Sequence, residues 1–411
     1  MRETNNLFKP ELLAPAGDPE KLLFAYLYGA DAAYIGAGDY SLRLNSGFSL
    51  EQIADAVSLA HRLGKKLYLA VNSFMRESDI NALPAYLAQL VELQPDALIV
   101  SDPGTLSLAR QYAPQCPVHI STQANTTNWL SARFWREQGA ARVILARELS
   151  LAEAGAISAK AGIETEIFVH GAMCISFSGR CLLSSFMTGR SANQGNCSHP
   201  CRYNYALVEE KRPGEFFSIE EDGHGSYIMN SRDLCLLDYI PQLCSGSFAS
   251  LKIEGRNKSA YYVANAVRIY RAAIDAFAAG PEHYYPNPLW QQELAKISHR
   301  EYTAAFAEGP AAASSMRYED GGYIRGYDFT AVVKEIRKDM LLLEQRNHIA
   351  VGDQLEIICP DGSNIPLRAE KIFDEYGVPL AAARHPRQLI LLPNPGLGDL
   401  QPPLIVRRPV K

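Results

Sequence analysis

The most restrictive feature of the sequence is an eightfold alternation of short apolar runs with longer amphipathic segments. The runs occupy residues 12–17, 32–38, 66–72, 97–102, 118–124, 142–148, 165–171 and 250–256. Segments between them, such as LEQIADAVSLAHRLG, repeat apolar residues at helical spacing before a terminating glycine. This alternation indicates a parallel sheet covered by helices, and eight units favour a closed (β/α)8 barrel of the TIM type over an open sheet.

The domain organisation follows from length and from a change of pattern near the end. The 411 residues exceed what one hydrophobic core usually organises. We expect a barrel domain at 1–285, a helical linker at 286–327 and a small β-barrel at 328–411, where short alternating strands are separated by turns such as PDG and PNPG. An insertion at 172–249 follows the seventh strand, and long insertions in compact domains are usually functional.

Composition restricts the class of protein. The apolar fraction of 47% with 21% charged residues is that of an ordinary globular protein. The net charge of −5 gives no global sign of nucleic-acid binding, which would need a local basic patch. No stretch approaches the roughly 18 apolar residues of a membrane span, and the start of the chain lacks an apolar signal segment, so we expect a cytoplasmic protein without membrane association.

Half of the eight cysteines lie within 28 residues of the insertion, as Cys174, Cys181, Cys197 and Cys201. In a reducing compartment such clustering indicates metal ligands or catalytic thiols more often than disulfides. The spacing C-x6-C-x15-C-x3-C suits an iron–sulfur cluster, while zinc and unliganded thiols remain alternatives. Cys235, in the same insertion, is a possible substitute ligand.

Polar residues at the ends of the predicted strands are candidates for a site, because barrel active sites form at the carboxyl ends of the strands. These candidates are Asn72, Gln123, Arg147, Glu148, His170, Lys252, Glu254 and Arg256. Others, such as Asp102 and Asn128, are placed to cap the next helix. The alternative for the charged residues is a salt-bridge ring that pairs Arg147 with Glu148 and Lys252 with Glu254.

The segment EIFVHGAMCISFSGRCLLS closely resembles the signature of the collagenase-like peptidase family (unassigned peptidase family 32). The matching residues are Glu166, Phe168, Gly171, Ala172, Cys174, Gly179, Cys181 and Ser184. NQGNCSHPCRY, SLKIEGRNKS and HREYTAAF are further matches, so the resemblance covers essentially the whole chain. The family name implies a peptidase, but the sequence has no HExxH motif and no Ser-His-Asp arrangement at recognisable spacing.

Within that family the layout is most similar to members that hydroxylate the wobble uridine of tRNA to 5-hydroxyuridine. The resemblance implies a 4Fe-4S cluster on the four clustered cysteines and an oxygen that comes from prephenate. Because prephenate is a dicarboxylate, the cations Arg147, Lys252 and Arg256 are natural binders. The candidate acid–base groups are Glu148, His170 and Glu254. Hydroxylation of ribosomal RNA or of a small molecule is the alternative within the same chemistry.

The tRNA partner would present its anticodon stem-loop, because chemistry on a base requires an unstacked base. The insertion carries cations at Arg180, Arg190, Arg202, Lys211 and Arg212, interleaved with aromatics at Phe177, Phe186, Tyr203 and Tyr205. These residues either bind phosphates and stack on bases or pack the insertion onto the barrel. The C-terminal domain has no catalytic constellation, and we expect it to grip tRNA or to stabilise an assembly.

Overall fold

The structure is a computed structural model that describes residues 9–41, 47–174, 176, 178–192, 195–203, 206–207, 217–218, 230–309, 316–317, 323–398 and 400–410. Its first domain contains eight parallel strands, all at the predicted places. They are β1 (Glu11–Pro15), β2 (Ala32–Ala37), β3 (Lys66–Val71), β4 (Ala97–Val100), β5 (Val118–Ile120), β6 (Arg142–Ile144), β7 (Glu164–Ala172) and β8 (Ser250–Ile253).

The strands close into a barrel. Each pairs in parallel with the next, and β8 pairs with both β1 and β7, so the domain sheet has no open edge between first and last strand. The registers at the seam place Leu12 beside Leu251 and Phe168 beside Lys252. The predicted (β/α)8 barrel is confirmed.

Helices cover the outside of the barrel, and most of them begin at a residue whose side chain caps the helix. They are α1 (Pro19–Leu27), α2 (Leu50–Arg62), α3 (Glu77–Glu92), α4 (Pro103–Tyr112), α5 (Trp129–Glu137), α6 (Leu151–Ala161), α7 (Leu183–Thr188), α8 (Ile240–Ser245), α9 (Ala260–Ala279) and α10 (Pro288–Leu294). The predicted caps are confirmed, because the Asp102 side chain accepts from the Thr105 amide and the Asn128 side chain from the Ser131 amide. No helix in the described ranges is long and apolar enough to span a membrane.

The insertion between β7 and β8 contains α7, α8 and short strands. The longest of these, Asp233–Cys235, pairs antiparallel with the end of β7 and parallel with Tyr302–Thr303 from the segment after α10. Other two-residue strands are Gly47–Phe48, Ala206–Leu207, Phe217–Ser218, Asn230–Ser231 and Met316–Arg317. Single 3-10 turns lie at Gly38–Tyr40, Thr122–Ala124, Pro200–Arg202, Leu237–Tyr239 and Pro281–His283.

The C-terminal domain is a curled antiparallel sheet around its own apolar core. Its strands are β9 (Tyr327–Ile336), β10 (Met340–Gln345), β11 (Ile349–Ala350), β12 (Gln354–Ile358), β13 (Asn364–Arg368), β14 (Ile372–Asp374), β15 (Pro379–Leu380), β16 (Ala382–Ala383), β17 (Leu389–Pro393) and β18 (Leu404–Pro409). Eight strands follow the order β13-β12-β18-β9-β10-β17-β14-β15, and β11 pairs with β16.

Buried charges fasten this domain to the barrel. Arg268 of α9 and Arg407 of β18 are both fully buried, and each places a guanidinium nitrogen on the Glu293 carboxylate, at 2.5 and 2.7 Å. Tyr28 of α1 donates its hydroxyl to the Ile358 carbonyl at 2.8 Å. A protein is destabilised when a buried ion has no partner. Both arginines reach Glu293 only when the two domains lie as they do here, so this carboxylate favours that one orientation.

Replacement of Glu293 by Ala is expected to destabilise the protein by roughly 3–5 kcal/mol, since it leaves two buried guanidinium groups without their shared partner. The expected result is a clear fall in the thermal melting midpoint. Glu335→Ala is the matched control, because it breaks the exposed Arg337–Glu335 pair of the same domain and should leave the midpoint unchanged. Equal midpoints for the two variants would contradict the role assigned to Glu293.

Candidate active site at the barrel mouth

A cavity of about 200 Å³ lies at the carboxyl ends of the barrel strands, beneath the insertion. Ten of the predicted site residues line it. They are Asn72, Gln123, Arg147, Lys252, Glu254 and Arg256 from the barrel, and Cys174, Cys181, Cys197 and Cys201 from the insertion. The structure therefore brings most of the predicted ring and the whole cysteine cluster to one space.

The four cysteines reach the cavity from three short pieces of backbone. Cys174 follows the end of β7, Cys181 precedes α7, and Cys197 and Cys201 lie on either side of His199, whose backbone is left-handed with φ of 56°. A hydrogen bond from the Cys174 thiol lowers the pKa of Cys181 to about 5, against the effect of its partial burial, and backbone amides at the start of α7 add to this. Cys181 is thus the thiolate of the pair, and the pKa of Cys174 is raised.

This donor set fits a thiolate-bound metal group. Four cysteines that line one cavity can supply the thiolate ligands that zinc and iron–sulfur clusters take. Within the described residues, no three His, Cys, Asp or Glu side chains are placed to hold a metal ion together. Metal ligation would therefore require the cysteine side chains to turn toward a common ligand.

Cys235 lies elsewhere. It is on the strand Asp233–Cys235 beside β7, and its sulfur is 3.8 Å from the Tyr270 hydroxyl. Burial raises the pKa of Cys235 to about 11. The structure brings Cys201, and not Cys235, to the cavity.

Two contacts hold the insertion over the mouth. Gly179 has φ of +75°, and a Cβ at this position would lie 2.4 Å from the Gln123 carbonyl, so only glycine permits this approach. The Glu148 carboxylate accepts hydrogen bonds from the Ser178 amide at 2.9 Å and from the Ser178 hydroxyl. Glu148, a predicted acid–base group, therefore anchors the insertion and is not among the residues that line the cavity.

An amide pair forms one wall of the cavity. Asn72 donates to the Gln123 side-chain oxygen at 2.8 Å, and both side chains are more than nine-tenths buried. The Gln123 side-chain nitrogen is buried without a hydrogen-bond partner in the described part of the chain. A buried unpaired donor costs free energy, so a ligand that accepts from Gln123 would bind favourably here.

The cations of the ring do not form the pairs considered from sequence. Lys252 donates to Glu166, deep in the barrel, at 2.9 Å, and burial lowers the pKa of the Lys252 ammonium. Arg147 lies 3.7 Å from Glu254, donates to the Ala172 carbonyl at 3.0 Å and stacks on a neighbouring aromatic ring. Lys252 and Arg147 therefore each have a carboxylate partner and an aromatic neighbour, and both line the cavity.

Tyr34 is a cavity residue that the sequence reasoning missed. Its hydroxyl donates to Glu254 at 3.1 Å, and the Lys252 ammonium lies 4.3 Å from the centre of its ring. Burial raises its pKa well above the usual value. Tyr34 lies in the middle of β2, whereas the prediction considered only residues at strand ends. Successive side chains of a strand point to opposite faces, so every second residue of AAYIGA points into the barrel, and this pattern could have identified Tyr34.

His170 faces away from the cavity. The pairing of β7 with β8 shifts by one residue at Val169, and such a bulge reverses the side of the sheet that later side chains face. His170 lies instead among the rings of Tyr262, Tyr270 and Tyr302, with centroids 5.3–5.9 Å away. Burial lowers its pKa to about 3, so the ring is neutral at physiological pH.

The cations and aromatics predicted to contact RNA lie at the surface wherever the structure describes their side chains. Phe186 is 87% exposed and Tyr203 is 51% exposed, so neither packs fully onto the barrel, and Arg180 is exposed as well. The Arg190 guanidinium donates to Asn196. Phe177, Tyr205, Lys211, Arg212 and the Arg202 side chain lie outside the described residues.

Comparison with known proteins identifies relatives along the whole chain. Residues 17–317 match the model for peptidase family U32, and residues 325–407 match the model for the C-terminal domain of that family. A tRNA hydroxylation protein of Bacillus subtilis is 40% identical over 93% of this chain and 91% of its own length. One from Escherichia coli is 37% identical over 98% and 97%, respectively. An Escherichia coli synthase of 5-hydroxycytidine in 23S ribosomal RNA is 32% identical over 85% of this chain and 52% of its own length.

Replacement of Gly179 by Ala is expected to lift the insertion off the barrel, because the new Cβ would meet the Gln123 carbonyl. Alkylation of the half-buried Cys181 and Cys197 in metal-free protein, followed by mass spectrometry, should become faster. Gly189→Ala is the matched control, since Gly189 has φ of +67° in the same insertion but nothing within 4 Å of a new Cβ. Unchanged alkylation in Gly179→Ala would show that this contact does not hold the insertion.

Replacement of His170 by Phe is expected to reduce the acid sensitivity of the fold. In unfolded chains His170 takes up a proton near pH 6.5, but in the folded protein its pKa is about 3. Stability is therefore fully present above about pH 6.5 and falls by roughly 1.4 kcal/mol per pH unit below it. Melting midpoints of the wild type and the variant should diverge as pH falls from about 7 to about 4.5. Parallel curves would show that His170 is not buried in the neutral form.

Proposed function

The chain belongs to peptidase family U32, and from this membership and the mouth cavity we propose that it hydroxylates the wobble uridine of tRNA to 5-hydroxyuridine. The observation that carries the proposal is the buried, unpaired Gln123 donor in a small cavity that four cysteines also line. The relatives named for hydroxylation of tRNA and of ribosomal RNA support the same reaction class. A peptidase is the alternative that the family name suggests.

The cavity suits a single extruded base. Its volume of about 200 Å³ admits a nucleobase. Enzymes that act on a base draw it out of the stack and read its hydrogen-bonding edge. A uracil carbonyl would accept from the Gln123 amide, and Asn72 holds that amide in the required orientation through its own hydrogen bond.

The cofactor in this proposal is a 4Fe-4S cluster, with zinc as the alternative. Cys174, Cys181, Cys197 and Cys201 would hold it, and the thiolate at Cys181 matches the ligand form that such groups require. When bound, a cluster of this kind supplies electron transfer beside the substrate. Arg147 brings positive charge to the same cavity, which favours anionic ligands there.

The oxygen donor in this proposal is prephenate. In the balanced reaction, a hydroxyl group moves from a carbon of the donor to C5 of the base, and a hydrogen moves from C5 to that carbon of the donor. The base loses two electrons and the donor gains them, so no further oxidant is needed. Arg147, Lys252 and Arg256 would hold the carboxylates of the donor, and Glu254, which accepts from Tyr34, would take the proton from C5 and return it to the donor carbon.

A bacterial strain that lacks this gene and its relatives tests the proposal. Mass spectrometry of tRNA nucleosides should show loss of 5-hydroxyuridine and its recovery with the wild-type chain. Cys174→Ala should fail to restore it and should lose bound iron, whereas Cys235→Ala, outside the cavity, should restore both. Gln123→Leu should retain iron but lower the product about tenfold, because one base hydrogen bond is lost.

Two outcomes would overturn the proposal. The first is 5-hydroxyuridine that persists unchanged in the deletion strain. The second is a colourless, iron-free protein that cleaves collagen fragments, which would support the peptidase alternative.

A further inference from the structure

A second, larger cavity of about 510 Å³ adjoins the first between the barrel and the C-terminal domain. The two cavities share Ala172, His199 and Glu254 in their walls. A ligand that extends beyond the first cavity past Glu254 therefore enters the second.

Three cations line the second cavity. They are Lys258, Arg325 and Arg346, and Glu254 lies in the same wall. Arg325 also pairs with Asp328, and Arg346 pairs with Glu20 and Glu344, so a bound phosphate would share these cations with surface carboxylates. These three cations come from the turn before α9, the segment before β9 and the turn after β10, so the fold brings them together from separate parts of the sequence. In a chain of net charge −5, such a collection favours an anionic partner.

Aromatic rings line the same space. Tyr327 and Phe329 are half-buried, and Tyr323 is 42% exposed. The Lys258 ammonium lies 4.2 Å from the centre of the Tyr323 ring, and the Arg346 guanidinium lies 5.8 Å from that of Phe329. Cations next to accessible aromatic rings are the combination that binds single-stranded nucleic acid, through phosphates and stacked bases.

We propose that the second cavity binds the unpaired nucleotides next to the base in the first cavity, with phosphates on Lys258, Arg325 and Arg346 and a base stacked on Tyr323. This inference rests on the proposed function, since it assigns the RNA segment that accompanies the reacting base. It gives the C-terminal domain a part in substrate binding, because Tyr327, Phe329 and Arg346 all belong to that domain.

The test is the affinity of the full-length protein for a fluorescent stem-loop RNA with the sequence of a tRNA anticodon arm, measured by anisotropy at several salt concentrations. Tyr323→Ala should weaken binding about tenfold, since it removes one stacking platform. Arg325→Gln should weaken binding about threefold and lower the salt slope by about 0.7, the value for one phosphate of a single strand.

Matched controls lie elsewhere on the C-terminal domain. Arg337→Gln removes a guanidinium that is about as exposed as that of Arg325 and also pairs with one nearby carboxylate. Arg337 follows the far end of the ten-residue β9, roughly 33 Å from its start. Tyr376→Ala removes an exposed ring in the turn between β14 and β15. Both controls should bind RNA like the wild type, and melting curves will verify that all four variants fold.

The outcomes separate the two ideas. If Tyr323→Ala and Arg325→Gln bind RNA with the affinity and salt slope of the controls while the wild type restores 5-hydroxyuridine in cells, the second cavity is not the RNA site and the proposed function stands. If the wild type neither binds the RNA nor restores the nucleoside, both fail. Selective weakening in the two cavity variants supports the inference.

Discussion

The buried carboxylate of Glu166 is the constraint on which the barrel and its site depend. It lies inside the barrel on β7, receives Lys252 from β8 at 2.9 Å and Arg142 from β6 at 3.2 Å, and Arg142 reaches Glu11 of β1 at 2.7 Å. One network therefore ties together the strands on both sides of the closing seam. Loss of the carboxylate would leave two cations buried without it, which is strongly unfavourable. The same network sets the position of Lys252 in the cavity wall, so the charge at the mouth is held from below.

The site is assembled from two sides by contacts that are local and specific. From below, the ends of the parallel strands bring Asn72, Gln123 and Arg256 to one edge, as the fold requires. From above, Gly179 and the Ser178–Glu148 hydrogen bonds fix the insertion on the barrel, and with it the four cysteines. The cysteines thus depend on the barrel for their position.

Much of the fold and many residues of the candidate site could be predicted from the sequence, because the sequence patterns that determine them are local. Continuous apolar runs mark parallel strands, caps such as Asp102 mark helix starts, and strand ends mark the mouth of a barrel. The orientation of His170 could not be predicted, since a bulge at Val169 reverses the alternation that places Glu166 and Phe168 inside. The second cavity was also beyond prediction, because its walls come from segments far apart in the chain.

The buried charges that attach the C-terminal domain to the barrel affect how the protein would recognise RNA under the proposed function. A buried ion pair adds little net stability to a folded protein, but its charges are paired in only one geometry. The contacts of Glu293 with Arg268 and Arg407 therefore fix the orientation of the two domains more than they raise the net stability. With that orientation fixed, cations and aromatic rings line the outer cavity, and the Asn72–Gln123 amide pair lies in the inner one beside three further cations. Phosphates would then be recognised outside and a base edge inside. Under the proposed function, a base would reach the inner cavity only after leaving its stack, so the arrangement would favour unpaired nucleotides over a duplex.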